Sequence, residues 1–367
     1  MGGSTPQTQT LLDRLHKWTE WEFNMLEFSD LATADILVEF GRELFAHYGL
    51  IEHFNICKER LSIFLRMLAS QYNNENPYHS GLHAVDAAIN VHYLLQSGFV
   101  RFFTKLDLLV LFVSALGHDT GHFALNNAFL LNSNHEVVQK HGSTSALEHF
   151  HLSKLMEVIT DDTCRFVDAL SPSDHAEFDI LVGEMVLATD MSRHKEYMTK
   201  FEEWCTSAKS EFGGTDQVAT TSSDGYFSWV EAKRSSLSYE ERKLFMSIVV
   251  KFADVANVVK PVAQSEAWAE LIMVEFNAQR EREIALALPL TQPALIPDHE
   301  WKVAKHQNGF LKFVVEPMIV LIMDLASKEK RETVLSHAKN NGEIWSQRVI
   351  DLDPENANNV CRVRFGC

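Results

Sequence analysis

The sequence predicts an all-α fold, and three observations support that prediction. Apolar residues recur at helical spacing along most of the 367-residue chain. Strand-like alternation between paired turn signals is nearly absent. The composition, with 46% hydrophobic, 10% aromatic and 23% charged residues, allows a large buried core and argues against disorder. We therefore expect a compact domain of roughly a dozen or more helices.

The predicted helices follow one another from residue 31 to residue 326. Asp30 is expected to cap the first of them, and Ser171-Pro172-Ser173 is a capping region further along. Ser238 with Glu241 is close to a capping box. The expected helical ranges are 31–50, 57–71, 79–95, 105–116, 174–190, 238–256, 264–288 and 308–326.

Two breaks interrupt the helical pattern. Residues 207–225 are rich in Ser, Thr, Gly and Asp and are predicted to form a surface loop, and residues 289–298 contain three prolines. Candidate metal ligands lie on both sides of the first break, so we expect one helical domain over residues 26–350. Residues 1–25 are expected to be a peripheral leading segment, and residues 351–367 a C-terminal tail.

The charge and the cysteines limit the classes of function. A formal net charge of −17 argues against a general surface for nucleic acid or for anionic membranes. No apolar run reaches the roughly 18 residues that span a bilayer, so we expect no membrane insertion and a cytoplasmic location. Scattered cysteines, odd in number, argue against a disulfide framework or a cysteine-based zinc site. The five are Cys57, Cys164, Cys205, Cys361 and Cys367.

Four residues far apart in the chain form a candidate metal site: His83, His118, Asp119 and Asp254. Imidazole nitrogens and carboxylate oxygens are ligands for Zn²⁺ and similar divalent cations. Three of the four lie in or beside strongly apolar helical stretches, where an unpaired ionised aspartate is unfavourable. A metal ion is the simplest compensation. The alternative for Asp254 is a salt bridge with Lys251.

The histidines also have structural alternatives. On a helix, His79 and His83 would project from one face, one turn apart, and such a pair could lie at the surface or cap the helix. A histidine at a helix C-terminus interacts favourably with the helix dipole. That alternative accounts for one histidine, but not for His118, Asp119 and His122 occurring together.

The motifs, taken in order, resemble the catalytic domain of the class I 3′,5′-cyclic-nucleotide phosphodiesterases. They are Y-H-x-x-x-H-A-x-D at residues 78–86, H-D-x-x-H at 118–122, A-D-x-x-N at 253–257 and Q-x-G-F at 307–310. The resemblance covers roughly residues 30 to 350. It implies a compact multi-helix fold of the HD superfamily and a catalytic domain that hydrolyses cAMP, and cGMP as a further substrate, to 5′-nucleotides.

The resemblance also implies roles for individual residues. The four candidate ligands would hold a tight Zn²⁺, and Asp119 would reach a second ion, Mg²⁺ or Mn²⁺. A hydroxide bridging the two ions would attack phosphorus, and His79 would protonate the departing 3′ oxygen as general acid. The partner is then a cyclic nucleotide, and a homodimer is left open. Positions that orient ligands and bound waters are matched by His122, Asn127, Glu148 and Thr189.

A separate base pocket is implied as well. Gln307 has an amide that both donates and accepts hydrogen bonds, which suits a purine edge. Phe310 offers a face for stacking, and Ile272 matches the opposite jaw of the family's clamp. Ordinary core packing is the alternative for both of these apolar residues. The remaining walls would come from Tyr78, Met191 and Asn257.

Several positions depart from the family pattern but leave the proposed ligands, His79 and Gln307 intact. Two alternative functions are another HD-type metal phosphohydrolase, such as a nucleotidase, and a catalytically silenced cyclic-nucleotide sensor. The presence of His79 argues against both. The departing residues are Ser80, Gly121, Phe123, Ala124 and Phe150, with the usual Q-G-D stretch reading Gln279-Arg280-Glu281.

Overall fold

The computed structural model describes residues 18–211, 237–291 and 300–353. Within these ranges the chain is helical and contains no strand, which confirms the all-α prediction. Leu311–Val315 forms a π-helical turn that connects the helix ending at Phe310 to the helix beginning at Glu316. The helices are α1 (Thr33–His47), α2 (Leu50–His53), α3 (Lys58–Ser70), α4 (Gly81–Gln96), α5 (Lys105–Gly117), α6 (Asn127–Asn132), α7 (Glu136–His141), α8 (Ala146–Ile159), α9 (Pro172–Ala188), α10 (His194–Glu211), α11 (Tyr239–Val255), α12 (Val262–Ala285), α13 (Glu300–Phe310), α14 (Glu316–Met323) and α15 (Lys328–Asp351).

Side-chain caps fix the starts of two long helices as predicted. Ser171 caps α9 by accepting the third-residue N–H, and Ser238 forms a reciprocal capping box with Glu241 at the start of α11. The prediction for α1 is wrong, because Ala32 and not Asp30 occupies its N-cap position and makes no side-chain cap there.

Two further predictions need correction. Residues 207–211 continue α10 rather than forming a loop, while residues 212–225 and 292–298 lie outside the described residues. His79 does not share a helix with His83, since α4 begins at Gly81. The backbone N–H groups of Tyr78 and His79 donate to Oε1 of Glu275, at 2.8 and 2.9 Å. This carboxylate holds the two residues in a non-helical segment.

The centre of the molecule is formed by α4 and α5, both buried along nearly their whole length. A helix that meets no water needs no polar face, which explains the unbroken apolar run of α5. Extensive packing contacts join α4 to α11 and α5 to α9. These four helices carry or adjoin most of the predicted site residues.

Three of the helices start together and run in the same direction. Arg242, in the first turn of α11, donates to Asp107 of α5 at 3.0 Å and to Glu177 of α9 at 2.8 Å. Near the far end of α11, Lys251 donates to the carbonyl of Ala188, the last residue of α9, at 2.7 Å. The C-terminal ends of the helices therefore converge, and such ends favour positive charge.

The segment before α1 is anchored to the core. Trp21 is only 1% exposed, and its indole donates to the carbonyl of Val259 at 3.0 Å. The Lys260 ammonium donates to the carbonyl of Trp21 at 3.0 Å and lies 4.2 Å from the centroid of the indole ring. Part of the segment that we expected to be peripheral thus packs behind the site. Residues 354–367 of the expected tail lie outside the described residues.

Among the described helices, none combines the length with the apolar composition that a membrane span requires.

Candidate active site

The four candidate metal ligands converge from three elements of the fold. His83 lies in the first turn of α4, His118 caps the C-terminus of α5 and is followed by Asp119, and Asp254 lies in the last turn of α11. The site therefore forms where two helix C-termini meet the start of a third helix.

Their donor atoms lie close together. Nε2 of His83 is 3.0 Å from Oδ1 of Asp254 and 3.7 Å from Oδ2 of Asp119. Nε2 of His118 is 3.2 and 3.3 Å from the same two oxygens. Ligands at tetrahedral angles around a Zn²⁺ ion, each about 2.0–2.1 Å away, are about 3.4 Å apart. His83, His118 and Asp254 form one candidate group for a cation, and Asp119 lies beside it while also belonging to a neighbouring candidate group with His122 and His151.

Hydrogen bonding and charge also suit a cation. Nδ1 of His118 donates to the carbonyl of Ala115 at 2.9 Å, so its Nε2 faces the cluster. Burial on its own would raise the pKa of Asp119 and of Asp254, but the facing His118 imidazole outweighs it and lowers both pKa values. Burial conversely opposes charge on His118, whereas the two carboxylates raise its pKa well above the usual value. The cluster thus favours a positive charge at its centre.

Lys251, the alternative partner for Asp254, has other contacts. Its ammonium donates to the carbonyls of Ala188 and Asp190, at 2.7 and 3.2 Å. Burial lowers the pKa of Lys251 to about 8. Its hydrogen bonds tie the end of α11 to the end of α9.

His79 forms a tight pair with Glu275. Its Nδ1 lies 2.5 Å from Oε2 of Glu275, and its ring stacks on His122 with the centroids 3.9 Å apart. Burial lowers the pKa of His79, but the Glu275 carboxylate outweighs burial, and the net pKa is raised. No role was predicted for Glu275 from the sequence, although the stretch from Trp268 to Glu275-Phe276 resembles a signature of the class I cyclic-nucleotide phosphodiesterases.

A second polar group surrounds Glu148. The amide nitrogen of Asn127 donates to both Glu148 oxygens, at 3.1 and 2.9 Å, and its oxygen accepts the N–H of Leu147 at 2.9 Å. Burial, and then the charge of Asp190, raises the pKa of Glu148 to about 7. The Thr189 hydroxyl donates to a carbonyl of α9.

His151 belongs to the site but was missed by the sequence analysis. Its Nδ1 donates to the carbonyl of Thr120 at 2.9 Å, and its Nε2 lies 3.8 Å from Oδ1 of Asp119. Burial lowers the pKa of His151 to about 4. This buried Nε2 has no hydrogen-bond partner among the described residues. A signal existed, because His151 follows Glu148 by three residues and shares its helical face.

One cavity of about 460 Å³ brings the predicted residues together. Asp119 and Asp254 line it, whereas His83 and His118 lie behind its wall. The Asn257 amide donates to the Tyr78 hydroxyl at 2.7 Å, which fixes one part of the wall. The lining also includes His79, His122, Asn127, Glu148, Thr189, Met191, Ile272, Gln307 and Phe310.

The fold and the cluster define an all-α protein with a candidate divalent-metal site made of histidine and aspartate. A family model described as 3′5′-cyclic nucleotide phosphodiesterase matches residues 78–337. The chain belongs to this family, and the prediction of the family is confirmed.

Two relatives illustrate the similarity. The chain is 26% identical over 347 residues to a probable 3′,5′-cyclic-AMP phosphodiesterase, pde-4, of Caenorhabditis elegans, covering 94% of this chain and 48% of that protein. It is 28% identical over 341 residues to a dual specificity calcium/calmodulin-dependent 3′,5′-cyclic nucleotide phosphodiesterase 1B of Mus musculus, covering 91% and 57%. The chain thus spans about half the length of these relatives.

A solved structure shows the same architecture. The phosphodiesterase domain of a rhodopsin phosphodiesterase from Salpingoeca rosetta aligns with a TM-score of 0.79 at 26% identity, covering 96% of this chain and 97% of that chain. The described helices therefore form a phosphodiesterase-type catalytic fold.

Proposed function

We propose that this chain hydrolyses 3′,5′-cyclic nucleotides, cAMP and also cGMP, to 5′-nucleotides. One observation carries the proposal: a single cavity is lined by two candidate metal ligands, by the paired histidine His79, and by Gln307 with Phe310. The first groups suit a phosphodiester, and the last two suit a purine. Membership of the family and the names of its relatives support the same reaction.

The tight metal, Zn²⁺, would be held by His83, His118, Asp119 and Asp254. The other carboxylate oxygen of Asp119, Oδ1, is left for a second ion, Mg²⁺ or Mn²⁺, which commonly keeps several of its waters. When bound, these ions supply Lewis acidity and a nucleophile at neutral pH. The same charge balances the phosphate, which a chain of net charge −17 would otherwise repel.

His79 is the proposed general acid. Its Nδ1 is committed to Glu275, so the proton for the leaving 3′ oxygen is held on Nε2. The carboxylate raises the pKa of His79 and keeps the ring protonated to higher pH. A general acid of this kind contributes about 10²–10⁴ in rate.

The remaining polar residues would orient these groups. Asn127 aligns the Glu148 carboxylate, and His122 stacks on His79. Thr189 closes the same wall of the cavity. His151 offers an unpaired Nε2 to a water or ligand beside Asp119. Positioning by such partners is worth about 10–100-fold in metal affinity or activity.

The base would bind at the apolar side of the cavity. The Gln307 amide would pair with the purine edge, with Phe310 and Ile272 on its two faces. Tyr78, Met191 and Asn257 would complete the walls. Gln307 is buried, and no hydrogen-bond partner for its amide occurs among the described residues, so the amide is free to serve a ligand.

A direct assay tests the proposal. The purified chain is incubated with cAMP or cGMP, with Zn²⁺ and Mg²⁺ or with a chelator, and the 5′-nucleotide formed is measured. We expect 5′-nucleotide only with metal. Preference for acyclic nucleoside monophosphates would instead indicate a nucleotidase, and tight cAMP binding without 5′-AMP would indicate a silenced sensor.

A further inference from the structure

A buried amide joins the two helices that carry His83 and Asp254. Asn90 lies on α4, two turns beyond His83, and is 0% exposed. Its Nδ2 donates to Oδ2 of Asp86 on the same helix at 3.0 Å and to the carbonyl of Ala253 on α11 at 3.1 Å. Ala253 directly precedes Asp254, so the amide holds the backbone that presents this ligand.

We propose that Asn90, together with Asp86, is a positioning residue for the metal ligands. This inference rests on the proposed metal site. By fixing the end of α11 against α4, the amide keeps Oδ1 of Asp254 at 3.0 Å from Nε2 of His83. Neither Asn90 nor Asp86 lines the cavity, so both would act on the ligands through α4 and α11 and not by contact with a substrate.

The chemistry explains why an amide is needed. The two acceptors, Asp86 and the carbonyl of Ala253, require two N–H donors from one short side chain, and only the NH₂ group of Asn supplies them at this length. A carboxylate in this place would face another carboxylate. A serine hydroxyl has one proton and shorter reach, so it would satisfy at most one acceptor.

The Asp86 carboxylate strengthens the hydrogen bond that it accepts from Asn90. Hydrogen bonds to an ionised acceptor are stronger than those to a neutral one. Burial raises the pKa of Asp86, and the buried Lys260 ammonium and the hydrogen bond from Asn90 oppose this shift by favouring the carboxylate.

A second buried amide provides a matched control. Asn341 on α15 is also 0% exposed, and its Nδ2 also donates to two acceptors, the carbonyls of Val258 and Lys260, at 3.0 and 2.9 Å. Neither carbonyl adjoins a proposed metal ligand. Truncation at Asn341 therefore removes the same kind of interaction without loosening the ligand backbone.

The experiment compares N90A with N341A in the full chain. Each protein is loaded with Zn²⁺ and dialysed against a series of chelator concentrations, the retained zinc is measured by elemental analysis, and Tm is measured on the metal-free protein. We expect both variants to lose stability to a similar degree. We expect N90A to lose its zinc at about tenfold lower chelator concentration than wild type, and N341A to retain zinc as wild type does.

Equal zinc retention in N90A and N341A, with zinc bound by wild type, would overturn the inference alone. Wild-type protein that binds no zinc would contradict the proposed metal site as well. If N90A does not fold, N90S gives the same test, since its hydroxyl reaches at most one acceptor. Its zinc retention must then fall below that of N341A, and retention equal to that of N341A again overturns the inference.

Discussion

The proposed metal cluster and the proposed base pocket are built in different ways. In the cluster, each ligand faces at least one other ligand within 3.7 Å, and His118 is oriented by a carbonyl of its own helix. In the pocket, Gln307 has no hydrogen-bond partner among the described residues, and Phe310 is only partly buried. The fold itself holds the proposed metal ligands in place, whereas the orientation of the Gln307 amide is left to contacts that would form with a substrate.

This contrast separates the geometry that the folded chain sets without a substrate from the geometry that depends on one. Buried ligands on packed helices keep their positions before any substrate binds, and such preorganisation favours catalysis. A glutamine amide without an internal partner can turn to face either purine edge. Under the proposed function, the same architecture would allow both cAMP and cGMP, and a preference between them would depend on the other walls of the cavity.

The largest effect is expected from D254A. Removing one of four ligands leaves the tight ion without a complete site, so zinc affinity should fall by more than about 100-fold, beyond the loss typical of residues that only orient ligands. Elemental analysis of the purified variant measures this. D168A, which alters an exposed acid paired with Arg60, is the control and should keep its zinc. Unchanged zinc in D254A would remove this residue from the ligand set.

The next effect is expected from H79A. Loss of the general acid should lower kcat by about 10²–10⁴, while the zinc content stays at the wild-type level, because His79 is not among the four ligands. Steady-state kinetics and elemental analysis on the same preparation separate the two properties. Zinc lost from H79A would assign this histidine to the metal cluster instead.

A pH profile sharpens the account of the His79–Glu275 pair. As the proposed general acid, His79 must be protonated, so activity should fall as pH rises through its pKa, which Glu275 raises. E275Q keeps the size of the side chain but removes its charge. We expect the alkaline limb of the kcat profile to move to lower pH in E275Q. An alkaline limb at the same pH in both proteins would show that this carboxylate does not set it.

The smallest effect is expected on the pocket side, from Q307A. A hydrogen bond to the base is worth about 0.5–1.5 kcal/mol, so KM should rise up to about tenfold with zinc content and stability near wild type. Measuring KM for both cyclic nucleotides also reveals any preference that Gln307 imposes. A large loss of kcat with unchanged KM would place Gln307 in the chemistry instead of in base binding.

Sequence patterns predicted much of this architecture because buried helices and charged ligands leave strong local signals. The apolar run of α5 and the capping box of α11 are examples. The start of α4 was predicted wrongly, since the helix is cut short by Glu275, about two hundred residues away in the sequence. No local pattern contains that information.

For the candidate site, too, the sequence predicts residue types more readily than contacts between distant residues. His83, His118, Asp119 and Asp254 carry their chemistry in their residue types, and the fold brings each histidine within 3.7 Å of both carboxylates. His151 was missed because its role depends on which nitrogen is already bonded.

Two of the residues that depart from the family pattern, Gly121 and Phe150, touch each other. Gly121 has φ of +79°, and a Cβ there would lie 3.2 Å from the Phe150 ring. An acidic side chain at position 121 would therefore meet both backbone strain and this ring. The glycine at position 121 and the phenylalanine at position 150 are distant in the sequence but pack against each other in the fold.

The most direct test of the account is anomalous X-ray diffraction at the zinc absorption edge from crystals of the Zn²⁺-loaded chain. The account predicts a peak enclosed by Nε2 of His83, Nε2 of His118 and the carboxylates of Asp119 and Asp254. A zinc peak elsewhere, with these four groups bonded only to one another, would contradict it.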